Sequence, residues 1–185
     1  LKTSYDRDYQ MSANENLAMY RSKYKTSRLT LSMQYNRKLN PRLTWRSGAI
    51  LSSLRFGYTE SYRETVVMPL RQFLSSQGTT QNYQGYTNLQ YKWHNKLILT
   101  GGFHGMFLAL NQTYSVEPRF SIRWTPGLKH AIGFGYGNHG QLQPLGIYFY
   151  RELDNMPNYQ LQFSKAHHLV GSYQYQASKT LRIKS

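Results

Sequence analysis

Gly135, Gly137 and Gly140 complete a G-x-G-x-x-G within GFGYGNHGQLQPL (133–145), the spacing that lets a backbone approach a dinucleotide pyrophosphate. That chemistry also needs an apolar helix directly after the glycines, because the pyrophosphate rests on its N-terminus. Gln141, Gln143 and Pro144 stand there instead. Gly133, Gly135 and Gly137 therefore read as alternate small residues on the inward face of a strand, leaving room inside the sheet.

The other chemical candidates are weak. His167 and His168 are adjacent, and neighbours on a strand point to opposite faces, so they do not share a metal ion. His94 and His130 fall at turns, and His104 and His139 have no carboxylate at a spacing that would recruit one. Without Cys there is no thiolate nucleophile, disulfide or Cys-type zinc site. No G-x-S-x-G is present, and Asn111-Gln112-Thr113 matches a glycosylation sequon that is common by chance. The expectation is a protein that is not an enzyme, with no catalytic residue, cofactor or metal.

Charge is more informative. The 185 residues carry 23 Lys and Arg against 8 Asp and Glu, a net +15, which favours phosphate-bearing partners without choosing among them. Nucleic-acid sheets interleave cations with aromatics on one face. Here the two mostly alternate. Arg37, Lys38, Arg42, Arg46, Lys92, Lys96, Lys129 and Lys179 crowd the short turns, where long cationic stems can snorkel to a lipid interface. Glu117, Arg119 and Arg123 differ: they alternate within one strand and are expected to face a polar lumen, where pairing offsets desolvation.

The elements behind these positions are strands. In NYQGYTNLQYKW (82–93), Tyr83, Gly85, Thr87, Leu89, Tyr91 and Trp93 form one face, while Asn82, Gln84, Tyr86, Asn88, Gln90 and Lys92 form the other. Period two predicts a strand with a greasy and a wet face. Residues 114–125 repeat the design, with Tyr114, Val116, Pro118, Phe120, Ile122 and Trp124 opposite Ser115, Glu117, Arg119, Ser121, Arg123 and Thr125. Shorter versions run over 28–35, 132–136 and 168–175. Stretches 43–58 and 97–110 are long enough for strands but apolar on both faces in places, and 180–185 begins another. Tight connections at 36–42, 94–96, 126–129 and 176–179 alternate with loops at 59–78, 111–113 and 138–165, the rhythm of an up-and-down antiparallel sheet. Only 62–74 leaves room for a turn or two of helix.

Aromatics then acquire places. Trp45, Trp93 and Trp124 sit near short turns, and Tyr83 and Tyr114 lie ten residues before two of them on the same faces. Ten residues of tilted strand span on the order of 23 Å, close to the apolar band of an outer-membrane barrel. These five residues are the expected membrane-interface girdles. No apolar run approaches the roughly 20 residues of a membrane-spanning helix. Leu1 opens in polar sequence without an initiator Met, as expected of a mature form or a fragment.

VEPRFSIRW (116–124), GFGYGNHGQLQPLGIYF (133–149) and FSKAHHLVGSYQY (163–175) resemble, in order and spacing, a central part of the barrel of TonB-dependent outer-membrane receptors with a carboxypeptidase-like N-terminal extension. The resemblance covers about a third of the chain. It implies that residues 1–185 are about seven or eight strands of a larger antiparallel transmembrane β-barrel, part of one outer-membrane domain in a Gram-negative-type bacterium. The implied function is transport of a siderophore or other scarce nutrient. Partners would be outer-membrane lipid, the rest of the receptor with its plug domain, the TonB system and a surface lipoprotein, with no nucleic acid. No ligand-binding residue carries over, because ligand contacts lie in variable loops and the plug. Two alternatives stand beside it: a complete eight-stranded outer-membrane adhesin or barrel enzyme, and a soluble basic β-domain that binds nucleic acid.

Overall fold

The computed structural model describes residues 1–14, 17–151, 155–178 and 181–184. Nine strands follow one another in a single antiparallel sheet whose spatial order is their sequence order. They are β1 (Lys2–Asn14), β2 (Leu17–Lys38), β3 (Leu43–Tyr62), β4 (Arg71–His94), β5 (Leu97–Leu108), β6 (Thr113–Trp124), β7 (His130–Gln141), β8 (Ser164–Gln176) and β9 (Arg182–Lys184). One four-residue helix, α1 (Leu145–Tyr148), interrupts the connection from β7 to β8. The all-β, up-and-down reading holds. β1 and β9 are opposite edges and do not pair, so the sheet is open.

Nine strands rather than seven or eight arise because 2–14 pairs with the first half of β2, a region whose polar outer residues conceal any period. The expected loop at 59–78 shrinks to 63–70, since β4 starts at Arg71, and 62–74 holds no helix. Helix forms instead in 145–148, where Phe149 N–H bonds the Gly146 carbonyl at 3.3 Å and Ile147 N–H bonds that of Pro144 at 3.0 Å. Lys179, Thr180 and Ser185, assigned from sequence to the last turn and strand, lie outside the described residues.

Turn chemistry fixes the short end. Asn40 Oδ1 accepts from the amides of Arg42 and Leu43, both at 2.8 Å, an Asx-type turn that reverses the chain without a partner from elsewhere. Lys96 N–H bonds His94 Nδ1 at 3.0 Å in the next turn.

Opposed residues in an antiparallel ladder share a face, so the register carries each strand's alternation across the sheet. Leu31 opposes Leu51, Leu51 opposes Tyr83, Tyr83 opposes Phe107 and Phe107 opposes Tyr114. A second row runs through Trp45, Leu89, Gly101, Phe120, Tyr136 and Leu169. These residues form one continuous outer face, and Leu29, Leu31, Phe103 and Leu169 on it are 59–71% exposed. Farther from the short turns the same face is polar: Lys25 and Ser27 on β2, Arg55 and Thr59 on β3, Gln77 and Thr79 on β4.

At that level the apolar residues change sides. β3 is apolar outward at Leu43, Trp45, Ala49 and Leu51, then inward at Leu54, Phe56 and Tyr58, which are 5–6% exposed. No register shift separates the two runs. This is why 43–58 looks apolar on both faces in sequence. The inner cluster is Phe56, Tyr58, Leu74, Met106, Leu108, Tyr148, Phe149 and Phe163, with Phe56 and Phe149 stacked at 4.7 Å between ring centres. Residues 142–151 and 155–163 thus fold over the inner face and supply three of its five buried aromatic side chains.

Leu108 is fully buried in this cluster, so Leu108→Ala should lower stability by about 2–5 kcal/mol and speed proteolytic cleavage within 142–163. Denaturant titration and limited proteolysis of the chain in detergent read both effects.

Candidate functional site

The inner face at mid-height is polar. Glu117 on β6 is 1% exposed and its Oε2 accepts from His104 Nδ1 at 2.9 Å and from an Arg119 guanidinium nitrogen at 2.8 Å. His104 and Glu117 oppose each other across β5 and β6, while Arg119 lies two residues along on the same face. An ionised carboxylate only accepts, so Nδ1 carries the proton. Arg119 is the half-exposed member. The guanidinium and the imidazole thus both donate to the one oxygen Oε2.

Pro118 helps to build this site. Pairing between β6 and β7 runs from Trp124 to Arg119 and stops there, next to a residue with no N–H to continue a ladder. Released from pairing, the end of β7 lies over the inner face: a Cβ on Gly140 would sit 2.6 Å from Ser115 Oγ and 2.7 Å from Glu117 Oε1. Any larger residue here would have to displace these side chains. The last glycine of the G-x-G-x-x-G therefore covers a carboxylate rather than a phosphate. Gly133, Gly135 and Gly137 oppose Arg123, Ser121 and Arg119, which places them on the inner face as expected.

Of the three expected lumen residues, Glu117 and Arg119 come together, while Arg123 shares their face and joins neither ion pair. Spacing alone recruits no carboxylate to His104, and the structure supplies one across the β5–β6 ladder. Folding 97–124 symmetrically about the Leu110–Asn111 bond puts His104 opposite Glu117, a signal available in the hairpin register. His139 and His168 meet edge to face at 4.8 Å on the inner side, whereas His167 turns outward to bond the Tyr136 hydroxyl at 2.9 Å. The two adjacent histidines do occupy opposite faces. Among the described residues no group of three or more His, Cys, Asp or Glu could hold a metal.

The aromatic candidates all lie on the outer face. Tyr83 and Tyr114 share a row through Phe107, with Tyr83 and Phe107 rings 6.2 Å apart. Trp93 and Trp124 flank the short turns, and Trp45 stands opposite Leu89, four residues before Trp93. The short-turn end is cationic, whereas the opposite end carries both signs, with Arg7, Arg21, Lys23, Lys25, Arg63 and Arg71 beside Asp6, Asp8, Glu60 and Glu64. Seven of the turn cations expected from sequence lie at the short-turn end, from Arg37 to Lys129, while the described carboxylates are at Asp6, Asp8, Glu60, Glu64 and Glu117, away from it.

Asn111 has a role that its sequon conceals. Its Nδ2 donates to the carbonyls of Tyr159 at 3.0 Å and Leu161 at 2.9 Å, and its Oδ1 accepts from the Thr113 hydroxyl at 2.8 Å. The side chain is buried and fully used, which leaves its nitrogen closed to glycan attachment.

No family model and no curated protein matches the chain.

Removing a buried ion-pair partner leaves a charge uncompensated. Glu117→Ala should therefore cost about 3–5 kcal/mol, and Glu117→Gln less, since the amide oxygen still accepts. In a double-mutant cycle His104→Ala and Glu117→Gln should couple by about 0.5–3 kcal/mol, measured as shifts in urea midpoint.

Proposed function

We propose that this chain forms the wall and outer loops of a β-barrel in the outer membrane of a Gram-negative-type bacterium, within a TonB-dependent receptor that imports a siderophore or another scarce nutrient. The observation that carries the membrane part is the outer apolar belt. It runs unbroken across β2 to β8, is bounded by aromatic rows, and gives way to polar residues on the same faces farther from the short turns. A soluble sheet rarely exposes an apolar patch of this extent, and the alternation matches the lipid-out, polar-in period of membrane strands.

The receptor part rests on the resemblance of 116–124, 133–149 and 163–175, and on the open nine-strand order, which supports a larger barrel over a closed eight-stranded one. In this reading Glu117 and Arg119 stiffen the polar inner wall, segment 142–163 narrows the interior, and a plug domain from the rest of the receptor occupies the remaining space. Loops capture the nutrient, the TonB system supplies energy, and a surface lipoprotein assists capture. Trp45, Trp93, Trp124, Tyr83 and Tyr114 anchor the two lipid interfaces. Within the apolar belt of β4 to β6 the outer face carries aromatics and aliphatics and the cations Lys92, Arg119 and Arg123 stand on the opposite face, which argues against a nucleic-acid sheet that interleaves both on one face.

The absence of native Cys makes single-Cys labelling direct. In cells carrying the full receptor, Thr79→Cys and Arg55→Cys should react with a membrane-impermeant maleimide, while Phe103→Cys and Phe120→Cys should be protected; equal labelling would overturn the membrane reading. Phe120→Arg should cost roughly 2–4 kcal/mol on refolding into lipid vesicles and Ser121→Arg much less. Deleting the full-length gene should abolish growth on a TonB-dependent nutrient, and unchanged growth on a panel of such nutrients would overturn the receptor assignment.

A further inference from the structure

Above the belt, on the inner face, lies a cavity of about 450 Å³ walled by Tyr5, Tyr24, Tyr58, Phe73 and Ile147, with Glu60 as its one carboxylate. It is separate from the Glu117 cluster and goes beyond the receptor reading without requiring it. Tyr24 and Tyr58 oppose each other across β2 and β3, and their rings stand 5.2 Å apart, inclined at 54°. Both rings line the cavity, and an aromatic ring face attracts a cation.

Glu60 is 9% exposed and belongs to none of the ion pairs among the described residues, which use Asp6 and Glu117. That is unexpected in a chain with 23 cationic side chains against 8 acidic ones. Burial raises its carboxyl above the ordinary range, and a hydrogen bond from the Tyr20 hydroxyl opposes that shift in part. Glu60 lies nine residues beyond Leu51, outside the apolar belt. A buried carboxylate without a counter-ion is costly, and aromatic walls around it suit a cation carrying an apolar body.

We propose that this cavity binds a small organic ammonium compound, its charged nitrogen between the Glu60 carboxylate and the Tyr24 and Tyr58 rings and its apolar part against Phe73 and Ile147. The volume is at the lower end of small-ligand pockets. Carboxylate and ring faces both attract positive charge, and neither offers the donors that an anionic or phosphorylated ligand would need.

Gly146 supplies a means of blocking the site. A Cβ there would meet Tyr24 at 3.5 Å and Tyr58 at 3.9 Å, ordinary contact, so a larger side chain at this position projects into the cavity. The test is calorimetric titration of the detergent-solubilised full-length protein with phenethylammonium and with 2-phenylethanol, which has the same ring and chain without the charge. Phenethylammonium should bind at least about ten-fold more tightly. Glu60→Gln should erase that difference, and Gly146→Phe should abolish binding of both probes while leaving the unfolding midpoint close to wild type. Equal affinity for the two probes in the wild type, no binding of either, or undiminished binding in Gly146→Phe would each overturn the proposal. None of these outcomes depends on whether the belt meets lipid, so failure here is distinct from failure of the labelling experiment.

Discussion

The structure depends on one constraint: a strand has a fixed period of two, so a chain that must be apolar outward along one part and inward along another has to exchange its pattern between odd and even positions. β3 does this between Leu51 and Leu54, with no register break at that point in either ladder. Below the exchange the sheet shows its apolar side outward and a charged side inward. Above it the apolar residues turn in to meet α1 and the rest of 142–163. Every other feature follows from where a residue stands relative to that level. Glu117 lies below it and must be neutralised by polar neighbours; Glu60 lies above it and is enclosed by rings.

The polar cluster and the aromatic cluster solve the same problem by opposite means. Both fill the inner side of a sheet whose outer side is already committed. At mid-height, filling comes from paired charges, which tolerate burial because His104 and Arg119 converge on one carboxylate oxygen. Higher up, filling comes from stacked rings and Leu108, and the hydrophobic term is available because the outer face there is polar and wet. Pro118 stands within the polar level, between Glu117 and Arg119. By ending the β6–β7 ladder it lets the tip of β7 close over Ser115 and Glu117, which no continuous strand pair would permit.

Much of this was legible in sequence, and the part that was not has a physical cause. Residues 82–93 and 114–125 alternate cleanly because they lie wholly on one side of the exchange, so their strands, faces and rim aromatics read directly. In 43–62 the exchange falls inside one strand and a period-two count cancels itself. β1 and the start of β2 project beyond the apolar level, where both faces carry Lys, Asp, Ser and Tyr and no contrast remains to detect. The extension of β4 back to Arg71 was hidden for the same reason. The His104–Glu117 pair required hairpin register, a non-local property that spacing along one strand does not express. Helix α1 is too short to have a period at all and exists because Tyr148 and Phe149 are held in the inner cluster.

Asn111 joins two loops that are far apart in sequence. Its amide grips the carbonyls of Tyr159 and Leu161, its oxygen holds Thr113, and the Tyr159 hydroxyl returns a bond to the Leu110 carbonyl at 2.8 Å. The β5–β6 hairpin tip and the distal half of 142–163 therefore share a mechanical degree of freedom. A force that lifts the covering segment away from the inner face is delivered to the tip of the hairpin that carries His104 and Glu117, and a strain on that hairpin is felt by the cover. Cover and wall are tied together at this point by one amide side chain and one phenol hydroxyl.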